Sequence, residues 1–136
     1  MFFSFIFILV LTIEHLSAAT TVWQGGISND MLTSGNWSAG VPASADTAQF
    51  DATATSLTPQ IDGLGASLGI TAGAFSFPDS TSFNISILNF GVLNFDLAGI
   101  NNSPGTQTIS YTTSSEGNFN GSSSAGNANI SLNDAF

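Results

Sequence analysis

The sequence predicts an all-β protein folded as a short β-solenoid, and three observations support this. From Thr20 onward no stretch shows the 3.6-residue apolar period of an amphipathic helix. Glycine and proline recur too often for helices of ordinary length. Short segments instead alternate apolar and polar side chains, which is the period-two pattern of strands. A β-sandwich of antiparallel sheets fits the same pattern and is the alternative architecture.

The first element of the chain is expected to be a signal peptide covering residues 1–19. Residues 1–13 are almost entirely apolar, and Ser17 and Ala19 match the small residues before a signal-peptidase site, although no Lys or Arg precedes the run. The run is shorter than the roughly 20 residues that a membrane-spanning helix needs. We therefore predict cleavage after Ala19, with a buried first strand or helix as the alternative.

Seven strands are predicted in residues 20–136, separated by clusters of Gly, Pro, Asn or Ser that favour turns. They are Thr20–Gln24, Thr47–Asp51, Ser67–Thr71, Ser82–Leu88, Val92–Leu97, Gln107–Thr112 and Asn127–Leu132. The side chains expected to share an inward face are Phe83, Ile85 and Ile87 in the fourth segment and Leu93, Phe95 and Leu97 in the fifth.

The end of the sequence favours the solenoid over the sandwich. Phe119 and Ile130 flank a run of small residues, among them Ala125, Gly126 and Asn127, as a coil that turns tightly requires. Asn residues at repeated corners can also stack into side-chain ladders. These five residues are the predicted core of a repeating unit.

The charge of the chain excludes several classes of function. The 136 residues carry a formal charge of −9, with no Lys, Arg or Cys and a single His at position 15. Without cations to neutralise phosphates, specific nucleic-acid binding loses its main source of affinity, and an anionic membrane surface is disfavoured as well. No disulfide can form, so stability has to come from backbone ladders and apolar stacking.

Catalysis and metal binding are not expected. Beyond residue 19 the only side chains that titrate near neutral pH are scattered carboxylates, and no pair of them is placed by the sequence across a groove. They are Asp30, Asp46, Asp51, Asp62, Asp79, Asp96, Glu116 and Asp134. Calcium is the one metal that suits such ligands, but no calcium-binding motif is present. The sequence therefore predicts no enzyme activity, no metal and no cofactor.

The two tryptophans, Trp23 and Trp37, are the candidate site residues. They could stack on sugar rings in a carbohydrate-binding module, or they could cover the open first coil of a solenoid. Capping is favoured because a large aromatic side chain gains most from burial.

Two parts of residues 20–136, which together make up about half of that segment, resemble the amino-terminal part of bacterial proteins with autotransporter-associated β-strand repeats. The similar stretches are Val22–Gly26, Ser34–Ser38, Gly40–Pro42 and Asp46–Phe50, and Phe119–Ile130 is similar to the unit that those proteins repeat in tandem. The resemblance implies a β-solenoid exported to the cell surface. It also implies a cap region in residues 20–50 and coils in residues 51–136 that are incomplete at the carboxyl end, without the usual translocator barrel.

From the residues and the resemblance together we expect a non-catalytic structural or adhesive passenger fragment, secreted or located at a bacterial cell surface or outer membrane. Its expected partners are surface glycans or matrix components, and edge-to-edge association between copies is expected as well. The sequence predicts no nucleic-acid partner, and contact with a membrane only through the missing barrel. The alternative function is a carbohydrate-binding module.

Overall fold

A computed structural model describes residues 17–102, 105–112 and 114–133. The predicted signal peptide lies outside the described residues apart from residues 17–19, as do Asp134 and the end of the chain. Within the described part the elements are nine strands and a three-residue 3-10 helix at Ser34–Asn36. The strands are β1 Thr20–Val22, β2 Thr47–Gln49, β3 Gln60–Asp62, β4 Gly69–Phe77, β5 Asn84–Leu88, β6 Val92–Asn102, β7 Thr108–Tyr111, β8 Glu116–Phe119 and β9 Asn129–Leu132.

The chain folds as a parallel β-solenoid of about five turns. One sheet has the order β1-β2-β4-β6-β8 and the other β3-β5-β7-β9, and every pairing between these strands is parallel. From β2 onward, strands of one sheet therefore alternate along the chain with strands of the other, as coiling requires. The predicted solenoid is confirmed, and the sandwich alternative is wrong because sandwich sheets are built from antiparallel neighbours.

Stacking is in register from one turn to the next. Thr20, Thr47, Ala74, Gly99 and Ser124 lie at equivalent positions and follow one another at intervals of 25 to 27 residues. Each turn thus brings the same side of the chain inward, so one stripe of apolar residues per strand is enough to fill the interior.

The two long strands are bent, which divides their sheet into two facets. The register shifts between Ala72 and Ala74 of β4, where β6 contains two more residues than its partner. The second half of β4 pairs with β2, whereas the first half of β6 pairs with β8. Between β4 and β6 themselves, both halves are paired. Together with the other sheet, a complete turn has three sides. Bulges of this kind bend a strand and exchange its inner and outer faces.

The interior is an apolar column built from the predicted period-two pattern. Phe83, Ile85 and Ile87 are all fully buried, as predicted. In β4 the inward residues are Ile70 and Ala72 before the shift and Phe75 and Phe77 after it. The switch from even to odd positions follows from the bulge.

One inward residue was predicted wrongly. Leu93 and Phe95 are fully buried, but Leu97 is half exposed. Leu97 lies between Phe95 and Gly99, where β6 has two more residues than β4 and the in–out alternation of side chains is interrupted. Pairing with β4 resumes at Gly99, which has a positive φ. The sequence shows only unbroken alternation from residue 93 to 97, so the bulge could not be read from it.

Each of the seven predicted segments contains or overlaps a strand, but β3 and β8 were missed. Ile61 is the only apolar residue of β3, and β8 has Phe119 alone at its end. A strand of three or four residues with one apolar side chain is too short to show an alternating pattern. Their formation depends on the neighbouring turn of the solenoid, which offers a ready-made edge.

Outward amides and hydroxyls connect the turns. The amide of Asn118 donates to the side-chain oxygen of Asn94 at 2.9 Å, and the amide of Asn94 donates to Thr71 Oγ1 at 3.3 Å. Asn120 likewise donates to Asp96 at 2.9 Å. These side-chain ladders lie on strands and strand ends, whereas ladders were predicted at the corners.

Candidate functional site

The candidate site is the end of the solenoid where Trp23 and Trp37 meet. Trp23 follows β1 directly, and Trp37 follows the 3-10 helix. Their rings pack edge to face with centroids 5.2 Å apart, and both are buried. Each indole N–H donates to a backbone carbonyl, Trp23 to Ser56 at 2.9 Å and Trp37 to Met31 at 2.8 Å. Neither ring therefore offers a free face on which a sugar could stack.

The tryptophans join an aromatic column that runs along the solenoid axis. Phe50 lies 5.7 Å from Trp37 and 6.4 Å from Trp23, and it stacks on Phe77 at 5.0 Å. Further contacts at 4.9 to 5.0 Å continue from Phe50 through Phe75 and Phe95 to Phe119. This packing makes the covered end continuous with the core.

Asn36 holds the loop that carries Trp37. Its buried side chain accepts hydrogen bonds from the backbone N–H groups of Ile27 and Ser28, at 2.9 and 3.1 Å. The amide nitrogen donates to Ser28 Oγ at 2.9 Å and to the carbonyl of Asp30 at 2.8 Å. Both lone pairs and both donors are thus used. In the sequence Asn36 is visible only as part of the stretch Ser34–Ser38, and nothing local indicates this role.

The loop between β1 and β2 covers the first strand of each sheet. Beside β1, Ser38 donates its N–H to Val22 at 2.9 Å, and the Thr21 hydroxyl donates to the carbonyl of Gly40 at 2.8 Å. Beside β3, Met31 donates its N–H to Gln60 at 2.8 Å. The outer edges that a solenoid would leave free at this end are therefore bonded within the chain.

The glycine motif after Trp23 has a steric cause. Gly25 has a φ of +59°, and a Cβ placed on it would lie 2.7 Å from Ser56 Cβ and 3.1 Å from the Trp23 ring. Only glycine combines this left-handed backbone with so close an approach.

The predicted repeat core lies at the opposite end of the solenoid. Phe119 ends β8 and stacks on Phe95, while Ile130 lies in β9. Between them Ala125 and Gly126 form a tight turn, closed by the Ala128 N–H donating to Ala125 at 3.2 Å, with Gly126 at a φ of +57°. Asn127 is exposed in this turn.

The described aspartates are all engaged in hydrogen bonds at turns or between turns. Asp30, Asp46 and Asp62 each accept a backbone N–H, from Leu32, Ala43 and Leu64 respectively, at 2.9 Å. Asp96 accepts from Asn120 at 2.9 Å. Among the described residues no group of three or more His, Cys, Asp or Glu side chains is placed to hold a metal ion.

Asp51 and Asp79 have lowered pKa values. The Thr53 hydroxyl, and then the Thr53 backbone N–H, hold the pKa of Asp51 below its ordinary 3.8. The Thr81 N–H does the same for the pKa of Asp79, which also accepts the Ala52 N–H at 2.8 Å and so connects two turns. In both cases hydrogen bonds to the charged carboxylate outweigh the loss of hydration, which would raise the pKa, and for Asp51 they also outweigh the repulsion by Asp79.

We predict that acid destabilises the protein through these two carboxylates. Because their pKa values are lower in the folded state, the stabilisation is complete above pH 3.8 and is lost as pH falls through the lowered values. Urea unfolding followed at pH 7 and under acid conditions should show this loss in the wild type. The double variant Asp51→Asn, Asp79→Asn should be less stable at pH 7 and lose less in acid; an equal loss in both proteins would contradict the assignment.

Tyr111 places a hydroxyl in the core without a hydrogen-bond partner. The side chain is almost fully buried in β7, and its hydroxyl points at Gly117, where an added Cβ would lie 2.2 Å away. Burial raises the pKa of Tyr111 to about 12. The sequence pattern identified the position as a strand residue and gave no sign of the missing partner.

Replacing this tyrosine by phenylalanine is predicted to leave the protein as stable or more stable, because an unsatisfied buried hydroxyl costs about 1–3 kcal/mol. In the wild type the stabilisation by neutral Tyr111 is complete below pH 10 and declines as pH rises to about 12. Tyr111→Phe should lack this alkaline loss of about 2–3 kcal/mol. Phenolate absorbance measures the pKa directly, since the chain has one tyrosine; titration at its ordinary value in the native protein would refute the burial.

Comparison of the chain with protein-family models, curated proteins and solved structures found no match. No helix of the described residues is long and apolar enough to cross a bilayer.

Proposed function

We propose that the chain is a non-catalytic structural or adhesive protein that is secreted or held at a bacterial cell surface. The observation that carries the proposal is a parallel solenoid whose described aspartates are committed to hydrogen bonds at turns and between turns. Such a fold presents a long, acidic surface of side chains that form hydrogen bonds. Weak contacts repeated along it add up when copies are displayed together.

We further propose that the chain is the amino-terminal portion of a passenger with autotransporter-associated β-strand repeats, exported by a cleaved leader. The residues of the first stretch behind this resemblance, between Val22 and Phe50, assemble at one end of the fold, and those of Phe119–Ile130 lie at the other. Trp23, Trp37 and Phe50 pack together. Asp46, which belongs to the same part of the motif as Phe50, accepts the N–H of Ala43 at 2.9 Å in the turn before β2. Motif residues that contact one another in the fold support the proposed family resemblance better than matching residues without contacts would.

The surface best suited to bind glycans or matrix components is the outer face of the sheet β3-β5-β7-β9. Its in-register columns repeat at about 4.8 Å, the spacing of neighbouring strands. One column contains Ser86, Ser110 and Ser131, and the next contains Asn84, Thr108 and Asn129. Hydroxyls and amides at regular spacing suit repeated polar ligands better than the buried indoles do.

The proposal is tested by fractionation and by adhesion. The amino terminus of the exported protein should be Thr20. Beads coated with purified protein should adhere to glycan- or matrix-coated surfaces, and the triple variant Ser86→Ala, Ser110→Ala, Ser131→Ala should reduce adhesion. The matched control, Thr71→Ala, Asn94→Ala, Asn118→Ala, alters an equal column on another side of the solenoid. Retention of the full chain inside cells, or no adhesion by the wild type, would refute the proposed function.

A further inference from the structure

The lateral corner that connects β3 to β4, β5 to β6 and β7 to β8 carries large apolar side chains on its outside. Leu64 is 75% exposed, Leu68 is 44% exposed and Phe90 is 43% exposed. Phe90 is the one exposed aromatic side chain in the part of the chain that the structure describes. We refer to these three residues as the apolar corner.

The apolar corner is contiguous, because its residues belong to neighbouring turns that are bonded to each other. The N–H of Gly65 donates to the carbonyl of Asn89 at 3.1 Å, and the N–H of Val92 donates to the carbonyl of Leu68 at 3.0 Å. The side chains therefore start from backbones about one strand spacing, about 4.8 Å, apart. Single exposed leucines are ordinary on a protein surface, whereas neighbouring large apolar side chains are typical of a contact surface.

The backbone of the same corner is strained. Leu64 has a φ of +50° and Phe90 a φ of +67°. The remaining non-glycine residues with a positive φ in the described chain lie at this corner as well: Ser67, Asn89 and Ser114. Asparagine tolerates this conformation, whereas leucine and phenylalanine are disfavoured in it, and burial does not offset the cost because both side chains are exposed. Leucine and phenylalanine here favour neither the backbone nor the core, which points to a contact outside the chain.

A carboxylate lies on each side of the apolar corner. Asp62 ends β3, just before the corner, and Glu116 begins β8, just after it. The N–H of Glu116 donates to the carbonyl of Gly91 at 2.9 Å, which holds this residue against the turn that carries Phe90. A partner that covers the corner removes water from these charges, and this is unfavourable unless the partner brings a cation. The chain has no Lys or Arg that could supply one.

We propose that the apolar corner is a docking site for a basic segment of another protein, which places an apolar side chain on Leu64 and Phe90 and a Lys or Arg beside a flanking carboxylate. A second copy of this chain does not fit, because its charge of −9 is repelled. An anionic membrane surface is repelled in the same way. Turns stack along the solenoid axis, so a neighbouring turn does not cover this lateral corner. The inference rests on the fold and the charge, and is independent of the proposed glycan adhesion.

The test is a titration of the purified protein, followed by NMR, with a short synthetic peptide of leucines flanked by lysines. We expect saturable binding at peptide concentrations up to about 1 mM, which weakens as salt is added. The largest shifts should be those of the amide signals of Leu64, Leu68 and Phe90. Peptides with glutamate in place of lysine, or serine in place of leucine, should bind about tenfold more weakly or less. No saturable binding of the lysine–leucine peptide, or largest shifts on the outer face of β3-β5-β7-β9, would overturn the inference.

A double variant separates docking from folding. Leu64→Asn, Phe90→Asn should weaken peptide binding by about tenfold or more. It should unfold at the same urea concentration as the wild type or at a higher one, because asparagine tolerates a positive φ. Leu57→Asn is the matched control, since Leu57 is 43% exposed like Phe90 but lies before β3, at the opposite end of that strand, and its binding should be unchanged. A clear loss of stability in the double variant, or equal binding by both variants, would show that the corner serves only the fold.

The flanking charge is tested on its own. Asp62→Asn keeps the oxygen that accepts from the N–H of Leu64 and from the amide of Asn89. It should weaken binding of the lysine–leucine peptide by about two- to fivefold, the value of one exposed ion pair. Asp96→Asn makes the same change of charge in β6, beside the bulge and away from this corner, and should alter binding less. An equal effect of the two substitutions would mean that net charge alone attracts the peptide, and the assignment of the site would be wrong.

Discussion

Phe50→Ala is expected to cost about 3–5 kcal/mol, the range for truncating a buried Phe in a core. Phe50 is fully buried and contacts both tryptophans, as well as Phe75, Phe77 and Phe83. The variant leaves a cavity at the one position that connects the first end to the aromatic column. A loss of this size is a large share of the 5–15 kcal/mol typical of a domain.

Two measurements separate detachment of this end from general unfolding. Both tryptophans of the chain lie there, so their fluorescence reports the end alone. We expect a shift to longer emission wavelengths in Phe50→Ala at denaturant concentrations at which circular dichroism still shows strands. Phe90→Ala is the control, because Phe90 is 43% exposed and lies in a turn with a φ of +67°; an equal loss of stability in both variants would contradict the central position of Phe50.

The fold class was predictable because side-chain period and turn residues are local properties. Phe83, Ile85 and Ile87 show strand alternation without reference to the rest of the chain, and the structure buries all three. The bulge that turns Leu97 outward depends on how β6 aligns with β4, and this is a property of two segments together. Strands β3 and β8 likewise exist because a neighbouring turn pairs with them.

Less of the candidate site was predictable. Composition singled out Trp23 and Trp37, but whether an indole is covered depends on the path of residues 24–36, which the sequence does not reveal. The structure buries both rings, and this favours the capping hypothesis over stacking on sugars. The tyrosine hydroxyl and the bonds of Asn36 were invisible for the same reason, since a hydrogen-bond partner distant along the chain leaves no local signal.

Asn36→Ala is the second substitution with a large expected effect, about 2–4 kcal/mol, because it removes four hydrogen bonds at a buried site. Alanine fits the space but leaves the N–H of Ile27 and the carbonyl of Asp30 without these partners. The loop carrying Trp37 should then open, so urea unfolding should begin with the tryptophan signal.

Asn127→Ala is the matched control for this substitution, since Asn127 is exposed in the turn before β9, and its cost should stay within about 0.5 kcal/mol. Asn36→Asp adds a discriminating case. It keeps one oxygen that can accept from the N–H groups of Ile27 and Ser28, but a second oxygen replaces the amide nitrogen, so the two donors are lost and a charge faces the Asp30 carbonyl. If the donors matter, Asn36→Asp is at least as unstable as Asn36→Ala at pH 7. Stability close to that of the wild type in either variant would show that packing around Trp37 alone holds the loop.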